Sequence, residues 1–143
     1  MRIYLAARYS RHEEMQGVRD VLAAFGHTVT SRWIEAPEGR YGSGSFSAEQ
    51  LNSDPGYCSK VAARDIEDVL AADTVISFTE AAGGGKGGRH TELGIAIAAR
   101  EFGKPMRIII VGPREHVFHT APGAEWYPDW PRLVMAITRE GGS

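Results

Sequence analysis

The sequence predicts a doubly wound α/β domain, on three observations. Strand-like and helix-like segments alternate from residue 2 onward. The run "MRIIIVG" at 106–112 is apolar on both faces, as a strand in the middle of a parallel sheet requires. A glycine-rich run, "GGGKGG" at 83–88, follows directly on a strand and opens a helix.

Each element has its own justification. "RIYLA" at 2–6 is a short apolar strand. "HEEMQGVRDVLAAFG" places Met15, Val18, Val21, Leu22 and Phe25 at helical spacing, with Gly26 as the stop. "HTVTSRW" at 27–33 is a second, β-rich strand. Residues 34–59 form a long polar stretch with one turn of helix expected around Ala48–Leu51; a loop of that length within a domain is usually functional or mobile. "KVAARDIEDVLAA" at 60–72 is an amphipathic helix whose core face is predicted to be Val61, Ile66, Val69 and Leu70, with Glu67 and Asp68 facing solvent. "DTVISFT" at 73–79 is a strand, with Asp73 at its start and away from any site. "RHTELGIAIAAREFG" is a helix closed by Gly103. After the 106–112 strand, "AEWY" is a short last strand and "PRLVMAITRE" a C-terminal helix with Pro131 in its first turn. The order implies a flavodoxin-like or Rossmann-like sheet of four to five mostly parallel strands flanked by helices, as a single domain over 1–143.

Composition narrows the function classes. A net charge of −2 gives no broad field for nucleic acid or an acidic membrane, so no polymeric nucleic-acid partner and no membrane partner is expected. A single cysteine, Cys58, excludes an internal disulfide and a cysteine-based zinc cage, and fits a reducing cytoplasm. The N-terminus shows no signal-peptide pattern, and no apolar run is long enough to span a bilayer, so a soluble intracellular protein is expected.

In an open α/β sheet, ligands bind beyond the carboxyl ends of the strands, near the switch point. "AARYS", "SRWIEAP", the glycine run and "GPREHVFH" should therefore converge. The glycine run is not a phosphate loop of the G-x-x-x-x-G-K-[ST] kind, because Gly87 stands where the hydroxyl residue belongs. Gly83, Gly85 and Gly88 fit G-x-G-x-x-G, but after the wrong strand for a dinucleotide fingerprint. His90-Thr91-Glu92 mimics half of a zinc-deaminase signature whose second half needs cysteines this chain lacks. What remains is bare backbone at a helix N-terminus, able to meet an anion with the amides of Gly87, Gly88 and Arg89. Glu92 stands just beyond it, in the first turn, either as an acid aimed at the ligand cleft or as a capping acid at the third helical position. Asp65 is either a second acid aimed at the same edge or a solvated helix charge. Two carboxylates, one nucleophile and one proton donor, are the minimal equipment for cleaving a glycosidic bond.

"IYLAARYS", "ARDIEDVLAADTVISFTE" and "GGRHTELGIAIAAREFGKP" together resemble the nucleoside 2-deoxyribosyltransferase family, including its nucleoside-5'-monophosphate N-glycosidase branch. The resemblance runs from about Arg2 to Pro105, with a weaker echo in "IIIVGPREHVFH". It implies that Glu92 attacks C1' of a deoxyribose, that Asp65 contacts the sugar and assists proton transfer at the leaving base, and that Tyr4 orients the nucleophile. A covalent deoxyribosyl-enzyme would then be resolved by water or a second base. In the monophosphate branch the phosphate is held by the loops that here contain Arg8, Ser10, Gly88 and Arg89. Trp33 is the candidate platform for the base, unless it merely covers the sheet edge. His119, with His116, lies in a region that can reach a neighbouring subunit's site in relatives, and a homodimer or larger homo-oligomer is expected. The implied partner is a small nucleoside or nucleotide, with no cofactor. No metal is expected either, because His90, His116 and His119 match no standard zinc spacing. The sequence departs from the family in the 34–59 loop and in the His- and Trp-rich tail. Two alternatives stand beside this reading: a nucleotide-sensing module without catalysis, and a cytokinin-activating ribonucleotide phosphoribohydrolase, whose P-G-G-x-G-T signature is not matched here.

Overall fold

The computed structural model describes residues 1–35, 46–81 and 87–141. The glycine run at 82–86 and the middle of the long loop, 36–45, lie outside the described residues, as do the sequence readings that fall on them.

Five strands, β1 (Arg2–Ala6), β2 (Thr28–Val29), β3 (Thr74–Phe78), β4 (Arg107–Val111) and β5 (Glu125–Tyr127), form one sheet in the order β2-β1-β3-β4-β5. Every pairing is parallel, with Tyr4 opposite Val75, Val75 opposite Ile108 and Ile110 opposite Trp126. This is the flavodoxin-like order, in which the chain reverses direction between β1 and β3 and leaves a crevice there. Helices α1 (His12–Ala24), α2 (Ala48–Ser53), α3 (Pro55–Leu70), α4 (Gly88–Glu101) and α5 (Trp130–Gly141) complete the chain. Right-handed crossovers put α1 on one face and α3 and α4 on the other.

The core is the three central strands. Ile3 to Ala6, Val75 to Ser77 and Ile108 to Ile110 are all fully buried, which is why these runs show no polar alternation. Each isoleucine so placed contributes roughly 1.5–3 kcal/mol relative to exposure. From α1 they receive Met15, Val18 and Leu22, and from α5 Leu133 and Ile137.

The structure corrects several expectations. β2 is only two residues long, because side chains replace the strand ladder beyond it. The Ser31 hydroxyl accepts from Leu5 N at 2.6 Å, and the Trp33 indole N–H donates to Leu5 O at 2.7 Å. Helix α3 begins at Pro55, five residues earlier than predicted. Asp54 caps it, accepting from Tyr57 N, and proline occupies the first position. Of its predicted core face only Val69 is buried, while Ile66 and Leu70 are exposed. Asp68, predicted to face solvent, is buried. Its carboxylate accepts from Arg32 N at 2.9 Å and Arg32 Nε at 2.8 Å, tying the turn after β2 to α3. Asp73 accepts from Arg2 N and Thr74 Oγ1, at the end of the sheet opposite the crevice.

Gly112, just after β4, has φ +111°, and a Cβ there would stand 2.6 Å from Thr79 Oγ1. Only glycine allows β3 and β4 to leave the sheet this close together. No helix among the described residues is long and apolar enough to cross a membrane.

Candidate active site

Three acids and phenols predicted from different parts of the chain meet on one side of the sheet. Tyr4 projects from the middle of β1 and is fully buried. Asp65 lies on α3, Glu92 on α4, and the two helices pack against one another. The N-cap of α4 is Gly87, in the left-handed conformation at φ +83°, with the amides of His90 and Thr91 closing on its carbonyl. His90 is therefore the third helical residue and Glu92 the fifth. The expectation that Glu92 sits in the first turn is corrected, and its alternative role as a capping acid goes with it. Glu92 is half-buried and available for chemistry.

Electrostatics couple the three groups. Burial pushes the Glu92 carboxyl up to about 8. The Tyr4 phenol opposes that rise, and the charge of Asp65 adds to it. Asp65 is raised too, first by burial, against the pull of Arg64, whose guanidinium donates to it at 3.1 Å. Tyr4 is raised well above the usual phenol range by burial and by the charges of Glu92 and Asp65. Its hydroxyl closes no hydrogen bond of standard geometry among the described residues, while the Glu92 carboxylate acts on it through its charge. Two carboxyl groups with raised proton affinity, one beside a phenol, form a set able to hold a proton on one acid and a nucleophile on the other.

The predicted ligand-binding residues are placed unevenly. Arg8 caps the short 3-10 turn Tyr9–Arg11 that follows β1, and Ser10 lies within it, at the carboxyl edge of the sheet. Among the described residues the Arg8 guanidinium has no partner, and Ser10 is exposed. Gly88 opens α4 with its amide at the positive end of the helix. The Arg89 side chain turns inward instead. It is buried and gives a two-pronged ion pair to Glu115, with Nη2 at 2.9 Å from Oε1 and Nη1 on Oε2. Trp33 is buried with its N–H taken by β1 and its ring 6.2 Å from that of Tyr9. His119 is fully buried in a histidine cluster, where its Nδ1 accepts from Glu115 N at 2.9 Å.

Glu115 is the residue that sequence reasoning missed. Arg89 holds its carboxyl down at about 2, and Glu80 N donates to it at 3.1 Å. Glu80 in turn accepts from Arg11 at 3.2 Å, and the Arg11 guanidinium stands 5.4 Å from the centre of the Phe78 ring. The loops after β1, β3 and β4 are thus fastened to α4 through one polar chain, Arg11–Glu80–Glu115–Arg89. Nothing in the spacing of these residues marks it. A lone acid beside "GPR" gives no local signal of a partner 26 positions upstream.

No protein-family model matches the chain, and no curated protein sequence does. Two solved structures share its fold. A 2-deoxyribosyltransferase from the psychrotolerant bacterium Bacillus psychrosaccharolyticus superposes with a TM-score of 0.62 at 23% identity, over 94% of this chain and 90% of that one. The CMP N-glycosidase of Clostridium botulinum superposes with a TM-score of 0.54 at 17% identity, over 96% of this chain and 99% of that one. The chain has the five-stranded, all-parallel α/β fold of these two enzymes along nearly its whole described length.

Proposed function

We propose that the chain cleaves the N-glycosidic bond of 2'-deoxynucleosides or their 5'-monophosphates through Glu92. The observation that carries the proposal is the meeting of Glu92, Asp65 and Tyr4, from three separated elements, with both carboxyl groups shifted upward by burial. The names of the two structural neighbours, a deoxyribosyltransferase and an N-glycosidase, support the same chemistry.

In this reading the Glu92 carboxylate attacks C1' and forms a glycosyl ester. The C1'–N bond breaks, and its electron pair leaves with the base, which takes a proton from Asp65. Water or a second base then attacks C1', giving its proton back to Asp65 and freeing Glu92. Positive charge developing on the sugar favours the ionised form of Glu92, offsetting the burial that raises its proton affinity in the empty site. Tyr4 orients the carboxylate. A 5'-phosphate is held by Arg8, the Ser10 hydroxyl and the amides of Gly88 and Arg89, while the Arg89 guanidinium stays on Glu115. Trp33 acts through packing and through Tyr9, at the rim of the base pocket. The reading carries with it the expectation of a homo-oligomer, which sedimentation of the purified chain tests.

The test is chromatographic. The chain is incubated with each 2'-deoxynucleoside and each 5'-monophosphate, ribonucleotides included, with and without a second free base. Base release from monophosphates alone makes it a nucleotide N-glycosidase and gives Arg8 its phosphate. Base exchange among nucleosides makes it a transferase. No turnover of any of these substrates contradicts the proposal and favours a sensing module.

A further inference from the structure

Three histidines far apart in sequence meet beside α4. His90 is in its first turn, and the segment after β4 brings His116 and His119 against it. One ring nitrogen from each lies within 4.8 Å of the other two. His90 Nδ1 and His116 Nε2 are 3.0 Å apart, and the His116 and His119 rings are 3.9 Å apart between centres. Two ring nitrogens there, His116 Nδ1 and His119 Nε2, are buried with no hydrogen-bond partner. An unpaired buried polar atom costs roughly 1–3 kcal/mol, so His119 Nε2, within the cluster, calls for a ligand.

We propose that His90, His116 and His119 form a binding site for a divalent transition-metal ion, with zinc the first candidate. Imidazole nitrogens select zinc, copper, iron or nickel over calcium and magnesium, which need oxygen donors. Two nitrogens on one tetrahedral zinc, each at ~2.0–2.1 Å, sit roughly 3.3 Å apart, so the His90–His116 pair already stands at about chelating distance. His119 completes the set. Its Nε2 is the buried, unpartnered nitrogen; ligation there needs the ring proton on Nδ1 instead, so the ring changes tautomer and Nδ1 gives up its bond from Glu115 N–H. Behind the cluster, a Glu115 carboxylate oxygen stands 3.9 Å from His90 Nε2, beyond hydrogen-bond length but near enough for its negative charge to favour a cation there. Three protein ligands leave one position for water.

His90 and Glu92 are two residues apart on one helix, so they point about 200° apart around its axis. The ion lies across α4 from the catalytic carboxyl and takes no part in the glycosidic step. It fastens the turn Val117–Thr120 to α4, at the lip of a groove of about 570 Å³ lined by His90, Leu93, Ile97 and Phe118. The spacing of the histidines along the sequence gives no sign of this, because the fold and not a local motif assembles the set.

The test is titration of the chelator-treated full chain with Zn²⁺ by calorimetry and with Co²⁺ by visible absorption. Saturable binding of one ion per chain is expected, with the strong d–d bands of a tetrahedral nitrogen site and a raised melting temperature. His90→Ala and His116→Ala should each weaken binding by more than the roughly 10–100-fold typical of a residue behind the ligands. His27→Ala, at the far end of the sheet, should leave it unchanged. Absence of binding, a weak octahedral Co²⁺ spectrum, or affinity indifferent to the two substitutions overturns the proposal. The wild-type spectrum decides even if a variant folds poorly.

Discussion

Arg89 and Glu115, 26 residues apart, close a buried two-pronged ion pair that joins the start of α4 to the loop after β4. Removing one partner leaves the other as an unpaired buried charge. Glu115→Ala is therefore expected to cost about 3–5 kcal/mol, measured by urea unfolding. Arg89→Met with Glu115→Leu should cost clearly less than the sum of the two single changes. Strict additivity would show that the two side chains do not depend on each other.

The same pair sets an acid limit. Glu115 is held at about 2 in the folded chain against an ordinary 4.5. Its contribution is complete above the unfolded value and is lost as pH falls from about 4.5 toward 2. The acid unfolding midpoint should move up in Arg89→Met, which no longer holds that carboxylate ionised.

Glu92 behaves in the opposite sense. Its carboxyl is ordinarily at 4.5 and is pushed up to about 8 by burial. Between those values the folded chain keeps a proton that the unfolded chain releases, so stability falls as pH rises through the window. Glu92→Gln should therefore be more stable than the parent at pH 8, by about 1–3 kcal/mol, with the gap closing toward pH 4. A parent more stable than the variant at pH 8 would contradict the burial of this carboxyl.

Tyr4 pulls the Glu92 carboxyl down. In Tyr4→Phe the alkaline rise of base release, read as kcat/KM against pH, should move to higher pH while the fold is retained, since the hydroxyl closes no standard hydrogen bond. An unchanged pH profile would place the phenol outside the chemistry.

Gly112→Ala meets Thr79 Oγ1 at 2.6 Å in a backbone conformation suited to glycine. A loss of about 1–3 kcal/mol is expected in thermal or urea unfolding. A neutral substitution would mean that the strand ends can part without cost.

The fold was legible wherever periodicity carried it. The apolar runs that became β1, β3 and β4 and the helical spacing of Met15, Val18 and Leu22 needed only local pattern. Local pattern failed where a distant partner decided. Asp68 reads as a solvated helix acid until Arg32 meets it, and β2 reads as a full strand until Ser31 and Trp33 take over the backbone of Leu5. The start of α3 was readable, since Asp54-Pro55 is a cap followed by a first-turn proline, yet the polar loop before it hid the boundary. At the site, the sequence named Glu92, Asp65 and Tyr4 through a resemblance spread over three segments. It could not show that Arg89 would be occupied by Glu115, or that three histidines would share one cluster, because both depend on how the loop after β4 returns to α4.

In the proposed reaction Glu92 becomes covalently attached to the sugar. A 2'-deoxynucleoside or its 5'-monophosphate that the chain turns over is mixed with it, quenched in acid, and the protein digested and weighed by mass spectrometry. A deoxyribosyl adduct is expected on the peptide containing Glu92, absent in Glu92→Gln along with base release. Base release that persists in Glu92→Gln, or an adduct on another residue, would contradict it.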